Sequence, residues 1–216
     1  MSEALPHRTA TQASAVVVAA GRGVRLGAPD KALLPLAGRP MLAWSLDALQ
    51  AAAVDEIVVV AGDHTQAAIA QLLAAGTWPS ARRVVAGGAR RQDSVLAGLR
   101  ATDPAAEVVV IHDAARPLAS PALFDACIAA AARDGAAIAA VPVADTLKRV
   151  VDDRIVATVD RAGLWAAQTP QAFRRQVLLD LFVGSDEATL TDEAARCEAH
   201  GVPVAVVDGS PTNLKV

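Results

Sequence analysis

The residues best suited to chemistry follow a short apolar run near the start of the sequence. Residues 15–18 (AVVV) are typical of a buried strand, and residues 19–27 (AAGRGVRLG) then bring glycines and fixed positive charge, with Lys31 four positions later. Glycines let backbone N–H groups approach a ligand closely, and Arg25 and Lys31 add charge where those groups would point. The stretch predicts a cradle for a polyphosphate. Taken alone, it is equally consistent with a turn whose cations face solvent.

Two common phosphate-binding motifs are excluded for this loop. A P-loop needs lysine followed by serine or threonine, whereas Ala32 follows Lys31. The dinucleotide fingerprint G-x-G-x-x-G would need its third glycine one residue earlier than Gly27. The cradle is therefore of neither kind.

Length and composition bound the remaining possibilities. A chain of 216 residues with 53% hydrophobic and 20% charged residues can bury one full core. A net charge of −3, without a basic run interleaved with aromatics, argues against a nucleic-acid partner. We expect a single domain over residues 14–216, preceded by a disordered N-terminal extension at residues 1–13.

The sequence also indicates the cellular compartment of the protein. No apolar run approaches the roughly 18 residues of a membrane span, and residues 1–13 lack the apolar core of a signal peptide. Cys127 and Cys197 each lie in a helical pattern, which favours two buried thiols in a reducing compartment over a disulfide. We therefore expect a cytoplasmic protein without a membrane partner.

Strand and helix patterns alternate along most of the chain. Strands are predicted at residues 15–18, 55–61, 83–85, 107–111 and 136–141, and helices at residues 41–49, 65–75, 93–101 and 121–133. This alternation predicts an α/β fold with a mostly parallel sheet and helices on both faces.

The pattern changes after residue 143. Polar and apolar residues alternate through residues 143–160 around Asp152 and Asp153, which predicts a two-stranded hairpin. A lone hairpin is marginally stable in water, so we expect this one to pack against another surface, which could belong to a second subunit. Beyond it we expect a strand at 164–168, helices at 174–183 and 191–200 with Thr191 as N-cap, and a late strand at 203–207.

Unusual polar residues follow the ends of several predicted strands, where ligands bind in open parallel sheets. Gly87 and Gly88 allow close approach of a base or ribose, or form a plain turn. Ser94 is expected to cap the following helix, with or without turning its hydroxyl to a ligand. Asp113 suits a divalent cation or a ribose hydroxyl, or else an ion pair with Arg116, whose fork of donors suits phosphate.

Other polar residues carry plainer expectations. His112 is expected to be a packed histidine at a strand end. Arg90 and Arg91 are expected to form a solvated helix start, with contact of one of them to a triphosphate as the alternative. Residues 169–171 are expected to form a turn, and Lys215 alone would face solvent. The converging cations suit a nucleoside triphosphate meeting a second phosphorylated molecule, because nucleotidyl transfer needs mainly positioning and charge neutralisation. A phosphate monoester is itself a nucleophile and needs no general base.

The conjunction of motifs resembles the 2-C-methyl-D-erythritol 4-phosphate cytidylyltransferases of the non-mevalonate isoprenoid pathway. The resemblance spans residues 15–216 and rests on the following segments, in order: AAGRGVR with Lys31, DSVLAGL (93–99), HDAARP (112–117), DTLK (145–148), VDR (159–161), TPQ (169–171), TDEA (191–194) and NLKV (213–216). The first segment is shared widely among nucleotidyltransferases, and the later ones are more specific.

The resemblance implies a fold of the nucleotide-diphospho-sugar transferase type with a protruding β-arm at about residues 143–161. It implies Mg²⁺-dependent joining of CTP to the sugar-alcohol phosphate, with release of pyrophosphate, in a homodimer whose arm crosses to the partner. It assigns charge stabilisation to Arg25 and Lys31. It assigns nucleotide contacts to Ala19, Ala20, Gly21, Gly23, Gly88 and Ser94, and substrate positioning to Asp113, Arg116, Thr146, Arg161, Thr169 and Lys215. Arg161 and Lys215 are counted with the catalytic set, and Asp113 is the one candidate metal ligand.

The sequence departs from this family pattern in residues 30–36 (DKALLPL), which are more like those of molybdenum-cofactor nucleotidyltransferases, and at Ala89, where the family often has an acid. Three rival functions follow. Ribitol 5-phosphate cytidylyltransferases are similar, but Ala114 and Ala115 argue against that family. A molybdenum-cofactor enzyme does not explain residues 145–148 or Arg161. A non-catalytic nucleotide sensor would not need both Arg25 and Lys31.

Overall fold

The fold is built around one central strand. The computed structural model describes residues 11–21, 31–183 and 190–216. In these ranges the strands are β1 (Ala13–Ala19), β2 (Pro35–Leu36), β3 (Arg39–Pro40), β4 (Glu56–Ala61), β5 (Ala81–Ala86), β6 (Val108–Asp113), β7 (Ala136–Pro142), β8 (Leu147–Val151), β9 (Arg154–Val159), β10 (Trp165–Arg174) and β11 (Ala205–Asp208). The helices are α1 (Met41–Gln50), α2 (Gln66–Ala75), α3 (Arg91–Ala101), α4 (Pro121–Asp134), α5 (Arg175–Phe182) and α6 (Glu193–Ala199).

Seven of the strands form the main sheet, in the order β11-β7-β10-β6-β1-β4-β5. The pairs β1–β4, β1–β6, β4–β5 and β7–β11 are parallel, which confirms the predicted mostly parallel α/β sheet. The exception is β10, which lies antiparallel to both β6 and β7. β10 therefore runs opposite to the other six strands of this sheet, and β11 returns to their direction.

Helices cover both faces of the sheet, as the alternation predicted. Alternate residues of a strand point to opposite faces, and Val17 packs in one apolar cluster while Val16 packs in the other. The first cluster also contains buried side chains of α1, α2 and α4, and the second contains those of α3, α5 and α6. Each helix thus buries its apolar side chains against one of the two faces.

Several element boundaries differ from those predicted. β1 begins at Ala13, so the last residue of the predicted N-terminal extension belongs to the sheet. α3 begins at Arg91, two residues early. α6 begins at Glu193, and Asp192 is its N-cap because its carboxylate accepts a hydrogen bond from the Ala195 N–H, so Thr191 as the cap was wrong.

The predicted turn at residues 169–171 was also wrong. Those residues lie inside the ten-residue β10, and Gln171 pairs with Ile111 of β6 and with Ile138 of β7. The pairing with β7 is irregular between Ala167 and Gln171, beside the cis peptide that joins Thr169 to Pro170. A proline is tolerated where the ladder is interrupted.

The predicted hairpin is confirmed as β8 and β9, which pair with each other in a separate two-stranded sheet. Asp152 and Asp153 make its turn with positive φ angles of 48° and 59°, the conformation that two-residue hairpin turns favour. The hairpin exposes apolar side chains, including Ile155 at 66% of its surface and Val150 at 54%.

Two further expectations concern compartment and membrane. Cys127 and Cys197 are both buried and free, as the sequence indicated. Among the helices within the described ranges, none is both long and apolar enough to cross a bilayer.

Candidate active site

The site lies where the order of strands along the chain reverses in the sheet. From β1 the chain continues to β4 and β5 on one side, and then returns to place β6 on the other side. Val18 is opposite Asp113 across the β1–β6 pair, and the Ala114 N–H donates to the Val18 carbonyl at 3.1 Å. The carboxyl ends of β1 and β6 therefore open into one crevice, the usual ligand position in such sheets.

One side of this crevice is formed by backbone and small side chains. The Gly88 N–H donates to Ser94 Oγ at 3.1 Å. A Cβ on Gly87 would lie 2.6 Å from the Ala20 Cβ and 2.8 Å from Ser94 Oγ, so only glycine fits between them. The loop after β1 and the loop after β5 thus meet at Ala20, Gly87 and Ser94, with Ala19 and Gly21 adjacent along the chain.

Ser94 is not the helix cap that the sequence suggested. It lies within α3 and is 2% exposed, while the Asp93 carboxylate accepts a hydrogen bond from the Arg90 N–H at the start of that helix. Its hydroxyl instead closes the loop at Gly88. The Asp93 Cβ would lie 2.3 Å from a Cβ added at Gly88, so that glycine is also required by close packing.

The other side of the crevice is centred on the Asp113 carboxylate. Lys215 Nζ lies 2.5 Å from Asp113 Oδ2, and Arg91 Nη2 and Nε lie 3.3 Å and 3.4 Å from Oδ1. Burial alone would raise the pKa of Asp113, but the charges of Arg91 and Lys215 outweigh it and the pKa is lowered. Asp113 therefore pairs with Arg91 and Lys215, and the predicted alternative of an Asp113–Arg116 pair was wrong. Lys215 is exposed, as expected, but it also makes this ion pair.

Arg91 was expected to be solvated, and that expectation was also wrong. Its Nη1 lies 2.9 Å from both carboxylate oxygens of Glu193, whose side chain is 3% exposed. Burial opposes the charged form of Arg91, but the attraction of Glu193 and then Asp113 is larger, so the Arg91 pKa is raised. Burial also raises the pKa of Glu193, against the effect of Arg91.

His112 is the packed histidine that the sequence indicated. It is fully buried, with its ring edge-on to Phe124, Nδ1 3.1 Å from Thr169 Oγ1 and Nε2 3.2 Å from the Arg116 carbonyl. Burial lowers its pKa to about 4, so the ring is neutral at pH 7. The same Thr169 hydroxyl accepts from the Asp113 N–H at 3.1 Å, which ties β10 to the end of β6.

Arg116 is held by main-chain carbonyls. Its Nη1 donates to the Asn213 carbonyl at 2.7 Å and its Nη2 to that of Ala167 at 3.4 Å. Its Nε is buried and has no hydrogen-bond partner among the described residues. A buried guanidinium donor without a partner is costly, which suits a site that receives an anionic group.

The remaining candidate residues take no part in the contacts described above or fall outside the described ranges. Lys31 is half-buried in one turn of 3₁₀ helix, Lys31–Leu33. Thr146 and Arg161 are exposed at the base of the hairpin, where Arg161 donates to the Ala144 carbonyl. Gly23 and Arg25 fall outside the described residues.

The sequence missed the part of the site that depends on distant contacts. The sequence indicated Glu193 and Asn213 only as members of the segments at 191–194 and 213–216. Asn213 is fully buried and its side-chain amide donates to the Thr169 carbonyl at 2.9 Å. A polar or charged side chain gives no local signal of burial, so only the fold could reveal these two.

Comparison with known proteins agrees with the geometry. The family profile of 2-C-methyl-D-erythritol 4-phosphate cytidylyltransferase (IspD) matches residues 13–216. The enzyme of that name from Synechococcus elongatus is 46% identical over 206 residues, covering 93% of this chain and 89% of that protein. The one from Frankia casuarinae is 49% identical, covering 94% and 76%.

Solved structures give the same result. A 4-diphosphocytidyl-2C-methyl-D-erythritol synthase from Anaerococcus prevotii matches with a TM-score of 0.81 and 31% identity, covering 96% of this chain and 93% of its own. The 2-C-methyl-D-erythritol 4-phosphate cytidylyltransferase from Thermus thermophilus matches with a TM-score of 0.76 and 32% identity, covering 95% and 92%. The profile, the relatives and the folds point the same way, and the chain belongs to the 2-C-methyl-D-erythritol 4-phosphate cytidylyltransferase family.

Proposed function

We propose that this chain joins CTP and 2-C-methyl-D-erythritol 4-phosphate into 4-diphosphocytidyl-2-C-methyl-D-erythritol, as a step of isoprenoid precursor biosynthesis. The observation that carries the proposal is the crevice at the carboxyl ends of β1 and β6. Close-packed backbone at Ala20, Gly87 and Ser94 forms one side, and Asp113 with its two cations forms the other. Such a crevice can hold a nucleotide beside a second charged substrate.

The reaction needs placement and charge more than acid–base chemistry. An oxygen of the monoester phosphate attacks the α-phosphorus of CTP in line, the bond from that phosphorus to the bridging oxygen breaks, and pyrophosphate leaves with the electron pair. Arg25 and Lys31 stabilise the charge that grows on the phosphates. Ala19, Ala20, Gly21, Gly23, Gly88 and Ser94 hold the nucleotide.

The second substrate is placed by Asp113, Arg116, Thr146, Arg161, Thr169 and Lys215. Three observations support this for the residues inside the crevice. Arg116 keeps a buried Nε without a partner among the described residues, Lys215 is half-exposed beside Asp113, and the Thr169 hydroxyl fixes the Asp113 backbone. Together they leave one donor and one ammonium group for an incoming phosphate or hydroxyl.

We further propose that Mg²⁺ enters with the triphosphate. Across residues 11–21, 31–183 and 190–216, no three His, Cys, Asp or Glu side chains lie close enough together to hold a metal ion. Asp113 fits as one carboxylate beside phosphate oxygens, which is how Mg²⁺ is commonly bound in nucleotide sites. Both of its oxygens are already paired with cations, so it would have to exchange one of them for the metal.

A homodimer formed through the β8–β9 arm completes the proposal. Val150, Val151, Ile155 and Val156 are each more than half exposed on a hairpin that pairs with no other strand in the described ranges. Thr146 and Arg161 lie at its base, so a crossing arm would carry them towards the neighbouring site. The two buried free cysteines suit the reducing cytoplasm, where we place the enzyme.

Pyrophosphate release with CTP and Mg²⁺ tests the proposal, with methylerythritol phosphate and ribitol 5-phosphate offered in parallel. We expect faster turnover of methylerythritol phosphate. Faster turnover of ribitol 5-phosphate would overturn the assignment of the second substrate, and no release with either would overturn the proposed activity.

A further inference from the structure

Arg91 lies between two carboxylates that come from distant parts of the chain. Glu193 opens α6 and Asp113 ends β6, while Arg91 is the first residue of α3. The guanidinium contacts Glu193 through Nη1 at 2.9 Å to each oxygen, and it contacts Asp113 Oδ1 through Nε and Nη2 at 3.4 Å and 3.3 Å. One planar group therefore joins three elements.

The two contacts are unequal in a way that suggests their roles. The Glu193 carboxylate is almost fully buried and takes the shorter bonds, so it anchors the guanidinium. Asp113 takes the longer bonds through one oxygen and leaves Oδ2 to Lys215. A lysine could supply the charge but not both edges of the fork, because its ammonium is a single point of donation.

The anchor is itself held against the site. Asp192 caps α6 and also accepts from Gln171 Nε2 at 2.8 Å, so the start of α6 is fastened to β10 two residues beyond Thr169. At the other end, Arg91 lies three residues before Ser94, which closes the nucleotide loop at Gly88. The start of α3 thus carries Ser94 on the Gly88 side of the crevice and Arg91 on the Asp113 side.

From this arrangement we propose that Arg91, anchored by Glu193, is a positioning residue that fixes the Asp113 carboxylate for the second substrate. Fixing Oδ1 directs Oδ2 towards Lys215 and the incoming sugar-alcohol phosphate. The inference rests on the proposed function, and it adds two residues that touch neither substrate.

The test is steady-state kinetics of Arg91→Gln with each substrate varied in turn. We expect kcat/KM for methylerythritol phosphate to fall about tenfold to a hundredfold, the scale of a small misplacement, while the KM for CTP changes less than about threefold. Arg91→Lys should recover part of the loss. Arg100→Gln removes the same charge from the exposed far end of α3 and is the matched control, expected to behave as the unmodified enzyme.

A double-mutant cycle separates positioning from general stability. If Arg91 acts through Asp113, Arg91→Gln should cost less than about threefold in an Asp113→Ala background. An equal loss in both backgrounds, or a matched rise in both KM values, would overturn the inference. If Arg91→Gln does not fold because Glu193 is left buried and unpaired, Arg91→Gln with Glu193→Gln removes both charges and enters the same cycle.

Failure of the positioning role of Arg91 can be distinguished from failure of the proposed function. If the unmodified enzyme transfers cytidylyl to neither phosphate, the proposed function fails. Crystal structures of the unmodified enzyme and of Arg91→Gln then decide the positioning role. A turned Asp113 carboxylate in the variant supports it, and an unmoved one overturns it.

Discussion

Lys215 Nζ lies 2.5 Å from Asp113 Oδ2, although 102 residues separate the two in the chain. The segment around Lys215 is held on both sides of this contact. The Val216 N–H donates to the Ala115 carbonyl at 2.9 Å, and the Asn213 amide donates to the Thr169 carbonyl at 2.9 Å. Residues 213–216 thus lie across the end of β6 and the middle of β10, on the Asp113 side of the crevice.

Lys215→Ala should reduce activity much more than stability. The Lys215 side chain is 49% exposed, so its loss removes little packing, whereas it places a positive charge beside the proposed phosphate position. We expect kcat/KM for methylerythritol phosphate to fall about a hundredfold and the melting temperature to change little. Arg133→Ala, which breaks an exposed pair with Asp134 at the end of α4, is the control. Equal activity in the two variants would remove Lys215 from the site.

Much of this arrangement is predictable from local sequence. Runs such as residues 57–61 are apolar and β-branched, and their alternation with helical patterns requires a parallel sheet. The carboxyl ends of parallel strands share one edge, so Gly88, Ser94 and Asp113 could be placed together before any coordinates. The hairpin was predictable for the same local reasons, because Asp152 and Asp153 interrupt an alternating run.

Distant pairings were not predictable in this way. Arg91 and Glu193 are 102 residues apart, and nothing local to either shows that the two charges bury each other. Residues 169–171 contain a proline and indicate a turn, but strand pairing on both sides of β10 overrides that preference. Burial and antiparallel entry depend on tertiary contacts, which periodicity does not encode.

Lys31→Ala should lower kcat while sparing much of CTP binding. Its proposed role is to stabilise charge that develops during transfer, and losing one such donor typically costs about a hundredfold to a thousandfold in kcat. Single-turnover kinetics with saturating CTP, together with equilibrium titration of CTP, separate the two effects. Unchanged turnover would remove Lys31 from the mechanism.

Of two glycine substitutions, one should weaken CTP binding and the other should lower the free energy of unfolding. Gly87→Ala places a Cβ 2.6 Å from the Ala20 Cβ at the nucleotide loop, so we expect the KM for CTP to rise about tenfold, equivalent to about 1.4 kcal/mol. Gly98→Ala places a Cβ 2.3 Å from Val16 Cγ1 in the core, so it should cost about 1–3 kcal/mol of unfolding free energy. Urea unfolding and CTP kinetics on both variants check the contrast, and the reverse pattern would contradict the placement of Gly87 in the site.

The arm should be needed for assembly and for activity. Replacing exposed Ile155 by Glu puts a charge into the proposed interface, so sedimentation should show monomers, and these should have low activity. Arg154→Glu in the same strand is the control for the effect of charge alone.

Mixing Arg161→Ala with Lys31→Ala subunits should restore part of the activity, because a crossing arm leaves one intact site in a mixed dimer. No recovery on mixing would count against a shared site.

His112 should make the fold less stable in acid. Burial lowers its folded-state pKa to about 4, whereas an unfolded histidine titrates near pH 6.5. Between these values the unfolded chain binds a proton that the folded chain does not, so the free energy of unfolding falls as the pH drops, by at most about 1.4 kcal/mol per pH unit for this one group. Urea unfolding from pH 7 to pH 4.5 measures the slope. His112→Asn, which keeps a polar group beside Thr169, should show a shallower slope over this window, and identical slopes would mean that His112 becomes protonated in the folded state.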